Sequence, residues 1–228
     1  MTTAPATHFV VSAPASATAG TAFNFTVTAQ TATNTTATTY SGTVHFTSTD
    51  GAAVLPANAT LVNGVGTFSA TLKTAGSQTI TATDTVTASI TGTSGPIVVS
   101  AGPATHFAVT APPTAVHAIT FTVTALDAFN NVATGYLGTV HFTSSDAAAS
   151  LPANSTLTNG TGTFSATLQT AGNQTITATD TVTPSITGTS GAVTVSGAAT
   201  AGIPTMSWET LLALMIVLGA IGMAMLRK

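Results

Sequence analysis

The sequence predicts an all-β protein, two tandem β-sandwich modules followed by one C-terminal transmembrane helix. Three observations carry this prediction. One unit occurs twice: Gly42 to Ser100 lies on Gly138 to Ser196 without a gap, with 47 of 59 positions identical. Within the unit, apolar residues alternate with threonine at the period of a strand that has one buried face. The apolar stretch that follows residue 200 has helical length and no charge.

The repeat sets the domain organisation. Ala6-Thr-His-Phe9 matches Ala104-Thr-His-Phe107 at an offset of 98, whereas the later segment repeats at 96, so two residues are lost before Phe121. A unit of this size is a self-sufficient sandwich, not a short solenoid turn. The expected boundaries are 4–101 for the first module, 102–198 for the second, 199–209 for a linker and a short motif taken up below, 210–226 for the transmembrane helix and 227–228 for a basic end. The link around Ser100-Ala-Gly-Pro103 is short, which limits the swing of one module on the next.

The strands of the first module read in order. His8 to Val11 opens it. Phe23-Asn-Phe-Thr-Val-Thr-Ala29 puts Phe23, Phe25 and Val27 on one face; Thr43-Val-His-Phe-Thr47 does the same with Val44 and Phe46, and Phe68, Ala70 and Leu72 follow. Runs at Gln78–Thr83, Ser89–Thr93 and Ile97–Ser100 bring the count to about seven, the number of a small sandwich. Breakers separate them: Ala-Gly at 19–20, Leu-Pro-Ala-Asn at 55–58, Asn-Gly at 63–64 and Ala-Gly at 75–76. The chain has 53 threonines. Their branched Cβ favours extended backbone and their hydroxyls face water, so the strands stay wettable without charge.

Composition excludes several function classes. Charged residues are 4% of the chain, with three basic and six acidic, so no cationic surface exists to neutralise nucleic-acid phosphates. The hydrophobic fraction of 44% rules out charge-driven disorder. Cysteine is absent, which removes disulfides, thiolate metal sites and thiol nucleophiles. The titratable residues present in both copies are His45 and His141, Asp50 and Asp146, and Asp84 and Asp180. His45 alternates with inward Val44 and Phe46 and so faces outward, and each Asp neighbours Ser or Thr in a loop, where local turn hydrogen bonds account for it. No enzyme is expected, and no cofactor. His8 and His106 precede inward Phe residues and suit packing or an inter-module role. For metal, the expectation is none; Asp127 with nearby carbonyls is the single calcium candidate, short of the several carboxylates such a site wants. Lys-to-Asn cross-links are not expected, because Lys73 is replaced by Gln169 in the second copy. Sequons such as Asn58-Ala-Thr60 and Asn154-Ser-Thr156 arise by chance in so threonine-rich a chain.

The unit resembles the immunoglobulin-like repeats found in tandem in large bacterial surface proteins. The residues that carry the resemblance are Ala104-Thr-His-Phe107, Asp127-Ala-Phe-Asn-Asn131, Gly135-Tyr-Leu-Gly-Thr-Val-His-Phe-Thr-Ser-Ser-Asp146, Leu151-Pro-Ala-Asn154 and Thr170-Ala-Gly-Asn-Gln-Thr-Ile-Thr-Ala-Thr-Asp180. The first copy departs from it where Thr31-Ala-Thr-Asn-Thr35 replaces the Asp-containing turn. The resemblance implies a spacer or an adhesive module of the cell surface.

The tail is a different object. Leu211 to Leu226 carries no charge and spans roughly 24 Å as a helix, against a hydrocarbon core of about 30 Å. Trp208 stands at an interfacial position, and Arg227 and Lys228 supply the positive charge that sets cytoplasmic topology. Ile203, Pro204, Thr205, Met206, Ser207, Trp208 and Glu209 precede the helix. This arrangement resembles the IPTL-CTERM signals of Gram-negative bacteria, relatives of the PEP-CTERM signals, which usually read Ile-Pro-Thr-Leu-Ser-Glu-Trp; here Met206 replaces Leu, and Trp208 and Glu209 stand in reverse order. The resemblance implies recognition by a membrane peptidase of the exosortase or archaeosortase type. Pro204 keeps Ile203 out of helical geometry, leaving an extended segment for such an enzyme.

Met1-Thr-Thr-Ala-Pro5 has no basic start and no apolar core, so no secretory signal is read. The expectation is that the chain is the C-terminal part of a longer gene product, or begins at a miscalled start, with more repeats upstream. The reading is thus a non-enzymatic, exported cell-envelope spacer, membrane-tethered with its modules outside and processed by an exosortase-like peptidase. Its partners would be the membrane, that peptidase, and glycans or surface proteins, with no nucleic acid. Two alternatives stay open: an adhesin module binding glycan or protein through its loops, and accessory domains of a larger extracellular enzyme.

Overall fold

The computed structural model describes residues 4–196. The first module contains β1 (His8–Ser12), β2 (Ser16–Thr18), β3 (Ala22–Gln30), β4 (Thr43–Ser48), β5 (Ala59–Thr60), β6 (Val65–Thr71), β7 (Gly76–Gln78), β8 (Ile80–Asp84), β9 (Thr91–Thr93) and β10 (Ile97–Ser100). The second repeats them as β11 (His106–Thr110), β12 (Thr114–Ala115), β13 (Ala118–Leu126), β14 (Thr139–Ser144), β15 (Ser155–Thr156), β16 (Thr161–Thr167), β17 (Gly172–Gln174), β18 (Ile176–Asp180), β19 (Thr187–Thr189) and β20 (Val193–Val195). Among the described residues no helix is long and apolar enough to cross a membrane; the expected helix at 210–226 lies outside them.

In each module one layer is antiparallel, β1-β3-β6, or β11-β13-β16 in the second copy. The facing layer is β5-β4-β8-β9 together with β2-β10-β7, repeated as β15-β14-β18-β19 and β12-β20-β17. The pairings of β2 with β10 and of β12 with β20 are parallel, and the other strand pairings among the described residues are antiparallel. Among the described residues no pairing crosses from one module to the other, and the buried side chains fall into two separate cores.

Alternation explains the cores. Along β3 Phe25, Val27 and Ala29 are buried, and along β4 Val44 and Phe46, while the intervening threonines and His45 face water. Phe25 meets Phe46 edge to face at 5.6 Å, and Phe68 packs against both; Phe121, Phe142 and Phe164 repeat the trio. Rings at these angles gain beyond the area they bury. Asn63 and Gly64 both adopt positive φ, 53° and 78°, the conformation of a tight hairpin turn. Gly92 and Gly188 are required for another reason: a Cβ there would run into the carbonyl oxygen of Phe9 or Phe107, where β9 or β19 passes close to the opening strand.

The strand count differs from expectation, ten per module instead of about seven. Part of the excess is short edge strands, β2 and β5, of three and two residues. The rest comes from a break in the expected run Gln78–Thr83. Thr79 leaves the ladder and its N–H goes to Thr49 Oγ1 at 2.9 Å, while Ile80 N–H is taken by Ser94 Oγ at 3.1 Å. Hydroxyls replace two ladder acceptors, and the hairpin splits into β7–β10 and β8–β9.

Candidate functional site

The modules meet at a built junction. β10 ends at Ser100 and β11 begins at His106, leaving residues 101–105 as the link. Three backbone amides fix it: Ala19 N–H bonds Ser100 O at 2.8 Å, Thr105 N–H bonds Leu126 O at 2.7 Å, and Gly102 N–H bonds Asp127 Oδ2 at 2.9 Å. The Asp127–Asn131 turn follows β13. Asp127 is 1% exposed, and its Oδ1 accepts from the amides of Phe129 at 2.8 Å and Asn131 at 2.9 Å. Its Oδ2 also takes the Asn131 side-chain NH2 at 2.9 Å.

That turn reaches the first module. Asn131 Nδ2 donates to the carbonyl oxygen of Lys73 at 2.7 Å, and Asn131 Oδ1 accepts from Ala75 N–H at 2.8 Å. One carboxamide therefore reads both a donor and an acceptor of the loop before β7, as a neighbouring strand would. Lys73 Nζ sits 5.7 Å from the centre of the Phe129 ring, a cation–π distance. The same ring lies against Gly20, which has φ +79° and where a Cβ would overlap it. Glycine at 20 thus serves both the left-handed backbone and the ring.

Asp50 holds the receiving loop in shape. Buried at 3% exposure, it accepts from Lys73 N–H at 2.6 Å, Thr74 N–H at 3.0 Å, Thr74 Oγ1 at 2.7 Å and Ala52 N–H at 2.9 Å. Burial alone would raise its pKa; the hydrogen bonds from Thr74, Lys73 and Ala52 outweigh burial and hold it below the ordinary carboxylate value. Asp127 follows the same balance, burial being outweighed by Asn131, Gly102 and Phe129. Asp146 repeats the Asp50 clamp on Gln169 and Thr170, and its pKa is drawn down to about 2, chiefly by the amide and hydroxyl of Thr170. The local turn bonds expected of these aspartates exist, to Ala52 and Ala148. Most of their capacity, however, goes to a loop 23 and 24 residues away, because a buried carboxylate collects whatever donors the fold brings to it.

The other sequence candidates are spread apart. Asp84 accepts from Val86 and Thr87 amides and from the Tyr40 hydroxyl; Asp180 repeats this with Val182, Thr183 and Tyr136. Burial first, then the hydrogen bond to the carboxylate, pushes both tyrosine pKa values up. His45 and His141 lie on the outer face, each bonded to a sequon asparagine, Asn58 or Asn154, at 2.8 Å. Asp84 is buried and His45 exposed, so acid and base do not converge. His8 and His106 bond the hydroxyls of Thr7 and Thr105, and among the described residues neither side chain hydrogen-bonds to the other module. Among the described residues no three His, Asp or Glu cluster as a metal ion would need, and the four donors to Asp127 are all N–H groups. Ile203, Pro204, Thr205, Met206, Ser207, Trp208, Glu209, Arg227 and Lys228 lie outside the described residues.

Gly20, Lys73, Phe129 and Asn131 were not singled out as contacts in the sequence, yet a signal exists. In copies this alike, the positions that differ are informative: Lys73 against Gln169, Asp127-Ala-Phe-Asn-Asn131 against Thr31-Ala-Thr-Asn-Thr35, and the two extra residues of the first copy between Ala17 and Ala22, the span that holds Gly20.

Fold and junction together define the class, a tandem pair of immunoglobulin-like β-sandwiches joined by side-chain contacts at one junction. In sequence, no protein-family model matches the chain and no curated protein matches it. In three dimensions it is similar to FdeC, described as a broadly conserved Escherichia coli adhesin, at 17% identity over 84% of this chain and TM-score 0.44; the chain spans 65% of that structure's length. It is also similar to the D00-D0 domain of intimin, at 14% identity, 82% of this chain, 99% of that one and TM-score 0.43. Invasin, a bacterial integrin-binding protein, is similar at 17% identity, 83% of this chain, 40% of that one and TM-score 0.40.

Proposed function

We propose that the chain is a non-enzymatic spacer of the bacterial cell envelope. Its two modules stand outside the inner membrane, residues 210–226 tether them, and an exosortase-like peptidase recognises Ile203–Glu209 and passes the modules on toward the surface. The observation that carries the spacer reading is the Asn131 carboxamide bonded to both Lys73 O and Ala75 N. A flexible pair of binding domains has no use for a contact that fixes one module on the next, whereas a stalk that must hold something away from the membrane does. Among the described residues the five aspartates are buried, and a threonine-covered exterior with so little charge suits this role, being wettable with little to attract charged neighbours. The tail reading is supported by the order of its parts in the sequence, a proline-bearing motif, an apolar run and then Arg227 and Lys228.

The test is expression in a Gram-negative host carrying such a peptidase, behind an added signal peptide, followed by intact mass and membrane fractionation. A product shortened by the helix and released from the inner membrane supports both parts. A full-length product that stays in the membrane, unchanged by Pro204→Ala, removes the processing step and leaves a tethered spacer.

A further inference from the structure

The two copies contain an internal control for the junction. Thr31–Thr35 and Asp127–Asn131 occupy the same place after β3 and β13 and have the same backbone. Thr31 N–H bonds Thr35 O and Asp127 N–H bonds Asn131 O, both at 2.9 Å; Asn34 N–H bonds Thr31 O at 3.0 Å and Asn130 N–H bonds Asp127 O at 3.1 Å. Asn34 and Asn130 both take positive φ, 58° and 66°. In the first copy Thr31 Oγ1 stands in for the carboxylate and accepts Thr33 N–H at 3.3 Å. The turn therefore forms with either sequence, and fold stability does not explain Asp127, Phe129 and Asn131. The three positions that differ are those that touch the link or the first module.

The receiving side is equally one-sided. In the first module Gly20 N–H bonds Leu72 O, and Gly20 leaves the space that the Phe129 ring fills. In the second, His117 takes that place beside Leu168, and Gln169 stands where Lys73 meets the ring.

We infer that Asp127, Phe129 and Asn131 form a pairing key read by Gly20 and the Lys73–Ala75 loop, and that this two-module unit carries one key and one matching socket, already joined. A module placed ahead of the first meets a turn without the key. One placed after the second meets a surface without the glycine or the lysine. A second copy of this chain therefore does not add end to end through this contact. The inference rests on the junction of the spacer reading and is independent of the tail.

Amide exchange followed residue by residue by NMR in the full chain tests it. Ala75 and Ala171 sit in the same local sequence, Thr-Ala-Gly, so their intrinsic exchange is alike. Ala75 N–H is bonded to Asn131, whereas Ala171 is exposed and its N–H has no partner among the described residues. The expected result is Ala75 exchanging about fivefold or more slowly than Ala171, the factor one net hydrogen bond is worth. Asp127→Thr, Phe129→Thr and Asn131→Thr together should bring the two rates level while the core amides of Val123 and Ile176 stay protected. Equal rates in the unsubstituted protein, or Ala75 still protected in the triple variant, overturn the inference.

A gain-of-contact variant guards against a simple loss of fold. Residues 6–103 are repeated ahead of Ala6, so that an upstream Ala75 faces the native Thr31–Thr35 turn across the native linker. That Ala75 should exchange like Ala171, and should gain protection when the following turn carries Thr31→Asp, Thr33→Phe and Thr35→Asn. Protection with the native turn, or none with the key in place, overturns it. Failure of the envelope placement in the spacer reading, its tether or its processing, would show instead in fractionation or localisation data, with these exchange rates unchanged.

Discussion

Replacing Asp50 by Asn probes how the receiving loop is held. The carboxylate accepts four hydrogen bonds, three from backbone amides and one from the Thr74 hydroxyl, at 3% exposure. Asn keeps one acceptor oxygen and turns an NH2 toward donors it cannot satisfy. Hydrogen bonds to a charged group are worth about 1.5–3 kcal/mol each and do not add fully, so a net loss of about 3 kcal/mol is reasonable. For a module of this size each kcal/mol moves the melting temperature by roughly 4–8 °C, giving a fall of about 12–24 °C in the first module. Thermal unfolding followed by NMR on module-resolved signals reads this directly. Asp146→Asn is the control: it should lower the transition of the second module and leave Ala75 exchange unchanged, because no neighbour docks on the Gln169–Ala171 loop among the described residues. A shift of under about 4 °C for Asp50→Asn would refute the assignment of the loop's geometry to this carboxylate.

Acid should loosen the junction. The pKa of Asp127 is depressed below the ordinary 3.8, so its stabilising contribution is fully present above that value and is lost as pH falls through the folded-state value beneath it. Asp50, Asp84 and Asp180 shift the same way. These carboxylates contribute no change in melting temperature between about pH 5 and 7 and a steep fall below about pH 4; a melting temperature that holds steady from about pH 5 to 2.5 contradicts the hydrogen-bonded carboxylates. Gly188→Ala places a Cβ against the Phe107 carbonyl, and overpacking of this kind costs about 1–3 kcal/mol. The second module should melt lower by calorimetry while the first keeps its transition; unchanged melting means that β19 and β11 lie farther apart than described.

Much of the fold was legible because one signal repeats. Phe25, Val27, Val44, Phe46, Ala70 and Leu72 were placed on inward faces by alternation alone, and all are buried. The short strands were not legible, since two residues such as Ala59–Thr60 hold no period to read. Nor was the break at Thr79, which depends on a hydroxyl from Thr49, 30 residues away. The site was harder still. Asp50 reads as an ordinary turn aspartate and Asp127 as a weak calcium candidate, because local hydrogen bonding and residue type are all that sequence distance reveals, whereas the contacts that give them a role join residues 23 to 25 apart. Asn131 lies 58 residues from Lys73, and only the contrast between nearly identical copies hints that the two belong together.

The most direct test of the locked pair is a distance distribution between the modules. The chain has no cysteine, so Val86→Cys and Val182→Cys, at positions 91% and 85% exposed on equivalent turns, accept spin labels without a background. Pulsed electron–electron resonance on the full chain should give one narrow distance population, broadened by Asn131→Thr. A broad distribution in the protein with Asn131 intact would mean that the modules swing freely, and the spacer reading would lose the contact on which it stands.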